Sequence, residues 1–250
     1  GYRGPVLGII TVNILGYAAV TKGWLESANY RYFDRGDVLY LIRIGAPLML
    51  AGVVTNLVIG MDRLFLIKYA TPVEVGVYQI AAMPITFGLL VSGIIAQYFG
   101  PKLLYEFGKD RDLGAVYSKA LQASVAVVVV MLAMSPLVTP VARFVFTRWL
   151  PEYTSGLPMV PVFYVSGVLI AANISGIVIS AANQHMSLLV GSLIVAVIGF
   201  GVYVGIAQLG ASTIWYAYAN AFLQFVNFIV VVALAHRSAQ NTSSSFEHSF

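Results

Sequence analysis

Residues 153–236 read YTSGLPMVPVFYVSGVLIAANISGIVISAANQHMSLLVGSLIVAVIGFGVYVGIAQLGASTIWYAYANAFLQFVNFIVVVALAH, which is 84 positions without one Asp, Glu, Lys or Arg. A soluble core of a 250-residue chain cannot hide so long an uncharged run, whereas a helix crosses the roughly 30 Å hydrocarbon layer of a bilayer with about 20 apolar residues. The rest of the chain agrees. It is 59% hydrophobic with a mean hydropathy of +0.85, and it is 10% charged, where a soluble domain averages about 25%.

Working outward from that stretch, uncharged runs of crossing length predict about seven transmembrane helices. The long run itself supplies three, separated at residues 182–185 and again at 209–212. Four precede it: Gly4 to Thr21; Ile44 to Met61, extended at its start by Val38 to Ile42; the run between Glu74 and Lys102; and the run between Lys119 and Arg143. Spanning β-strands are about 10 residues with strict alternation, and VAVVVVMLAM at 125–134 does not alternate. The expected fold is therefore all-α, a polytopic transmembrane helical bundle.

Lys and Arg divide unevenly between the two sides. Lys22, Arg31, Arg35, Arg43, Lys102, Lys109, Arg111, Lys119 and Arg237 make nine on one side, against Arg3, Arg63, Lys68, Arg143 and Arg148, five, on the other. The richer side is expected to be cytoplasmic. The domain plan that follows is a first helix over 1–22, a cytoplasmic linker over 23–37, a six-helix lobe over 38–237 and a disordered tail over 238–250. Gly1 opens inside an apolar run, which reads as the start of a fragment.

Several chemistries find no support in the residues. The net charge of +4 is spread along the edges of apolar runs and forms no basic stripe for nucleic acid. There is no cysteine, and His185, His236 and His248 have no partner acid or second ligand at metal spacing, so neither an enzyme constellation nor a cofactor or metal site is expected. His185 reads as part of a short cytoplasmic turn, and His236 with Arg237 as the inward stop of the last helix.

Asp62 and Arg63 are different, because they interrupt an apolar run that Leu64, Phe65, Leu66 and Ile67 continue. An ionised group near mid-bilayer costs about 2.5–3.5 kcal/mol on insertion scales, so a retained pair faces protein or water; the competing reading puts it at the outer interface. Asn56 and Arg63, seven apart, share a helix face, as do Asn13 and Tyr17. Tyr216, Asn220, Gln224 and Asn227 line one face of the last helix, suited either to interhelical hydrogen bonds or to a hydrated path. RFVFTRWLPE at 143–152 reads as an outer interfacial segment anchored by Phe146 and Trp149, with Arg148 either snorkelling to headgroups or contacting phosphate. Ala172, Gly176, Ser180, Gly201 and Gly205 are candidates for close helix packing, and Pro47, Pro84, Pro136, Pro140 and Pro161 for kinks.

The segment LIRIGAPLMLAGVVTNLVIGMDRLFLIKYATPVEVGVYQIAAM at 41–83 resembles the seventh and eighth helices of the polysaccharide flippases, within the multidrug/oligosaccharidyl-lipid/polysaccharide exporter superfamily. The pieces that carry the resemblance are Pro47 early in the helix, Asp62 and Arg63 at its end, and Gly76 with Tyr78 in the next. Pro101 closing that helix before a basic loop, Pro151-Glu152-Tyr153 ahead of a small-residue helix, and Gly210-Ala211 before the final helix extend it over nearly the whole chain.

The resemblance implies a two-lobed transporter of the bacterial inner membrane, with this chain carrying the last helix of the N-terminal lobe and the six-helix C-terminal lobe. It implies a partner in the N-terminal half of the same transporter and an undecaprenyl-diphosphate-linked oligosaccharide as substrate, moved by alternating access through surrounding membrane lipid. Arg63, with Arg43 and Arg148, would attract the diphosphate; Asn56, Asn220 and Gln224 would meet sugars, and Asp62 would neutralise Arg63 or carry a coupling proton. The rival expectation is a cation-coupled multidrug or small-solute antiporter of the same superfamily, which should bury more acids than Asp62 alone. A membrane-embedded glycan polymerase or ligase fits less well, since the longest loops hold no paired acids.

Overall fold

The computed structural model describes Thr11, Leu15 and residues 35–247. Apart from Thr11 and Leu15, the expected first pass, with Asn13 and Tyr17, lies outside the described residues, as does the linker up to residue 34. The described residues form helices and no strand: α1 Arg35–Tyr69, α2 Pro72–Ala81, α3 Met83–Asp110, α4 Leu113–Trp149, a 3-10 segment Pro151–Met159, α5 Val160–Ala171, α6 Gly176–Ala181, α7 His185–Gln208 and α8 Thr213–Glu247. Six stretches are long and apolar enough to cross a membrane, the fourth of them combining the 3-10 segment, α5 and α6. The chain divides into two compact units, residues 1–43 and residues 44–250.

Local chemistry sets most of the boundaries. Asp37 in the first turn and Lys68 in the last complement the dipole of α1. Thr71 caps α2 through a reciprocal box: its Oγ1 accepts from the Glu74 N–H, and Glu74 Oε2 accepts from the Thr71 N–H at 2.8 Å. The Thr71 N–H and hydroxyl, both donating to Oε2, hold the exposed Glu74 carboxyl below the usual glutamate range. Asp112 starts α4 by accepting the Ala115 N–H at 3.0 Å. The two turns expected inside the uncharged stretch fall at Asn183 and Gly210, both left-handed with φ of 54° and 59°, a conformation that ends helices and that Asn and Gly adopt most easily.

Several sequence expectations need correction. Pro101 does not close its helix, since α3 runs through it to Asp110, and Pro47, Pro136 and Pro140 do not break theirs, since α1 and α4 run through them. Pro84 and Pro161 stand in the first turns of α3 and α5, where a missing N–H costs nothing, so they start helices instead of kinking them. Phe146 is no headgroup anchor, since it is buried in the core, while Trp149 is exposed beside Phe144. The tail does not become disordered at Ser238: α8 continues to Glu247, and the buried Ser238 hydroxyl contacts Gln184 Oε1 and the Leu234 carbonyl, each at 2.8 Å, which ties that turn into the bundle.

The span from Pro151 to Ala181 is the most buried of the six, and α5 packs against α3, α4 and α8. Its approach to α3 is set by glycine. A Cβ added at Gly88 would lie 2.3 Å from the Gly167 carbonyl oxygen, and one at Gly167 would lie 2.5 Å from the Pro84 carbonyl oxygen, so the two backbones meet where any side chain would collide. Gly176, Gly201 and Gly205 have open space around them and are not the packing glycines. Val129, Val130, Leu132, Phe200 and Phe222 are exposed, so large apolar side chains face outward as they do inward. In water such a surface would be an aggregation liability; in hydrocarbon it is the ordinary exterior.

Candidate functional site: a carboxyl buried between helices

Asp62 leaves α1 toward the interior and has 0% exposure. Three donors meet its two oxygens. The Arg63 N–H donates to Oδ1 at 2.8 Å, while the Tyr78 hydroxyl of α2 and Asn220 Nδ2 of α8 donate to Oδ2 at 2.7 and 3.0 Å. Asn220 Nδ2 also reaches the Ile59 carbonyl at 3.2 Å, pinning α8 to α1 at that level. A carboxyl left unpaired in such a place would cost several kcal/mol, and these bonds are what allow it to stay.

Aromatic rings close the site. Phe163 of α5 meets the Tyr78 ring edge-on at 4.9 Å. Tyr203 of α7 stacks on Tyr216 at 5.9 Å and touches Phe65 at 5.5 Å. The hydroxyl of Tyr203 is within electrostatic reach of Asp62 and Asn220, yet geometrically it makes no hydrogen bond. It is one of four unpartnered buried atoms contributed by this neighbourhood, the others being Asn220 Oδ1, Gln224 Nε2 and Arg63 Nε. Buried polar groups in folded proteins are nearly always satisfied, so these atoms mark where ordered water or a polar ligand would find partners.

The predicted residues separate into two sets. Asp62 and Asn220 are hydrogen-bonded, Arg63 adjoins them half-buried, and Gln224 follows Asn220 by one turn on the same buried face as Tyr216 and Asn227. Asn56 is exposed and donates to the Gly52 carbonyl of its own helix at 2.9 Å. Arg148 is exposed in the last turn of α4, and among the described residues no hydrogen bond or ion pair joins it to the cluster. Arg43 is exposed, in the unit that ends with it. His185 is not a loop residue but the buried first residue of α7.

Tyr203 carried no sequence signal beyond being a tyrosine in an apolar run, which reads equally well as packing. Tyr78 stood in the family-like segment without an assigned role. Among the described residues no group of three or more His, Asp or Glu side chains could hold a metal ion. What the arrangement can do is hold one ionisable carboxyl in a buried, donor-rich setting that joins α1, α2 and α8.

Fold, hydropathy and apolar exterior together define an all-α, multi-pass membrane protein. No known family, curated protein or solved structure matches the chain.

Proposed function

We propose that this chain is one lobe of an exporter in the bacterial inner membrane that moves undecaprenyl-diphosphate-linked oligosaccharide by alternating access, in concert with an N-terminal lobe of the same transporter. The observation that supports the reading is the burial of Asp62 within a membrane-spanning helix, tied to Tyr78 and Asn220 from two other helices. Ionisable groups inside membrane bundles are costly and belong to substrate or ion paths far more often than to scaffolding. Arg63 supplies an adjacent cation whose planar fork suits a diphosphate, and Asn220 Oδ1 and Gln224 Nε2 leave one acceptor and one donor for sugar hydroxyls. Rocking of one lobe against the other would need a group that changes partners, and Asp62 has partners on three elements.

The depth of Asp62 also favours a second reading, a cation-coupled antiporter of small solutes, in which the carboxyl itself is the coupling group. Substitution at Arg63 separates the two. With the transporter at wild-type abundance, Arg63→Ala should abolish movement of labelled lipid-linked sugar across the membrane, and Arg63→Lys should restore only part, because the charge returns without the bidentate fork. Full transport by Arg63→Ala would remove the diphosphate contact, whereas no movement of lipid-linked sugar even by the wild-type transporter would leave the antiporter reading standing.

A further inference from the structure

A groove of about 350 Å³ opens between the start of α7 and the second half of α8, away from the Asp62 cluster. Gly191, Ile194, Val230 and Leu234 give it apolar walls, and Ser187 and Arg237 stand at one end. Gly191 is the floor of the groove, where α7 and α8 touch: a Cβ there would lie 2.9 Å from Val230 Cγ1 and 3.0 Å from Leu234 Cδ1.

The polar end is biased toward negative charge from two directions. α7 has no side-chain cap, so its first-turn N–H groups, those of Met186 and Ser187 at the groove among them, carry the positive end of a 24-residue helix without a local acceptor. Arg237 is exposed there, and residues 153–246 contain no Asp or Glu to neutralise it. Of the acids on the neighbouring elements, Asp110 and Asp112 stand at the turn between α3 and α4 beside Lys109 and Arg111. His236 faces Tyr117 and Gln240, and Glu106 of α3 is committed to Lys119 at 2.7 Å. The groove therefore pairs a cationic head site with an apolar trough, at the end of the bundle where Lys102, Lys109, Arg111 and Lys119 outnumber Glu106, Asp110 and Asp112.

We infer that this groove binds an anionic phospholipid, with the phosphate on Arg237 and the start of α7 and one acyl chain along Ile194 and Leu234. Charge complementarity selects the occupant: a zwitterionic lipid would bring its own cation to an end already positive, and a free phosphate would leave the trough empty. The site is separate from the proposed transport site, so it stands or falls independently of that function.

The test is native mass spectrometry of the detergent-purified chain titrated with phosphatidylglycerol and phosphatidylcholine of identical acyl chains. The wild-type chain should retain phosphatidylglycerol about fivefold better, the ratio that corresponds to about 1 kcal/mol per basic residue near an anionic surface. Arg237→Gln should erase the preference, Arg148→Gln at the other end of the bundle should keep it, and Ile194→Trp should lower retention of both lipids by crowding the trough. All three positions are exposed, so folding should survive each change. Equal retention of the two lipids by the wild type, an undiminished preference in Arg237→Gln, an equal loss in Arg148→Gln, or undiminished binding by Ile194→Trp would each overturn the assignment.

Discussion

Two tyrosines near Asp62 have opposite bookkeeping, and that difference can be measured. Tyr78 donates to the carboxyl, so Tyr78→Phe leaves a buried acceptor short of one partner and should cost about 1–3 kcal/mol of stability. Tyr203 has no hydrogen-bond partner, so Tyr203→Phe should be neutral or slightly stabilising. Thermal unfolding of the purified variants in one detergent reads both; a loss at Tyr203→Phe as large as at Tyr78→Phe would mean that its hydroxyl is satisfied after all.

At the level of helices, the sequence was readable where backbone chemistry is local. The turns at Asn183 and Gly210 were legible because polar or small residues interrupt an otherwise uniform apolar run, whereas the caps Thr71 and Asp112 lie outside the apolar runs and were not legible as helix starts. What was not legible is which glycines touch. Gly201 and Gly205 have the spacing of a packing motif and face open space, whereas Gly88 and Gly167, 79 positions apart, meet backbone to backbone, and no one-dimensional pattern reports a pairing of that range. Gly88→Ala should therefore force α3 and α5 apart at a cost of about 1–3 kcal/mol or more, while Gly201→Ala should be neutral to mildly stabilising, as Ala is the better helix former. Unfolding temperatures compared under the same conditions decide it, and equal effects at the two positions would contradict the crossing described.

For the whole molecule, α4 carries the topology. Its 37 residues rise about 55 Å at 1.5 Å each, more than the hydrocarbon layer is thick, so Lys109 before it and Glu152 after it must emerge on opposite faces. Single cysteines at those positions, in a chain that has none of its own, should label from opposite sides, with the residue 109 site inside by the nine-to-five bias of Lys and Arg. Labelling of both from one side would defeat the arrangement. The site was half legible at this scale. Asp62 announced itself as a charge inside an apolar helix, and Asn220 as part of a polar stripe, but their meeting depends on α1 and α8 packing across 158 positions of sequence. Whether that meeting serves transport is decided by Asp62→Asn, which keeps the shape and most of the hydrogen bonding of the cluster while removing the ability to change charge. With the transporter matched to wild type in abundance and thermal stability, the account predicts that labelled lipid-linked sugar still binds and that its movement across the membrane stops; movement at the wild-type rate would make Asp62 a structural group and contradict the account.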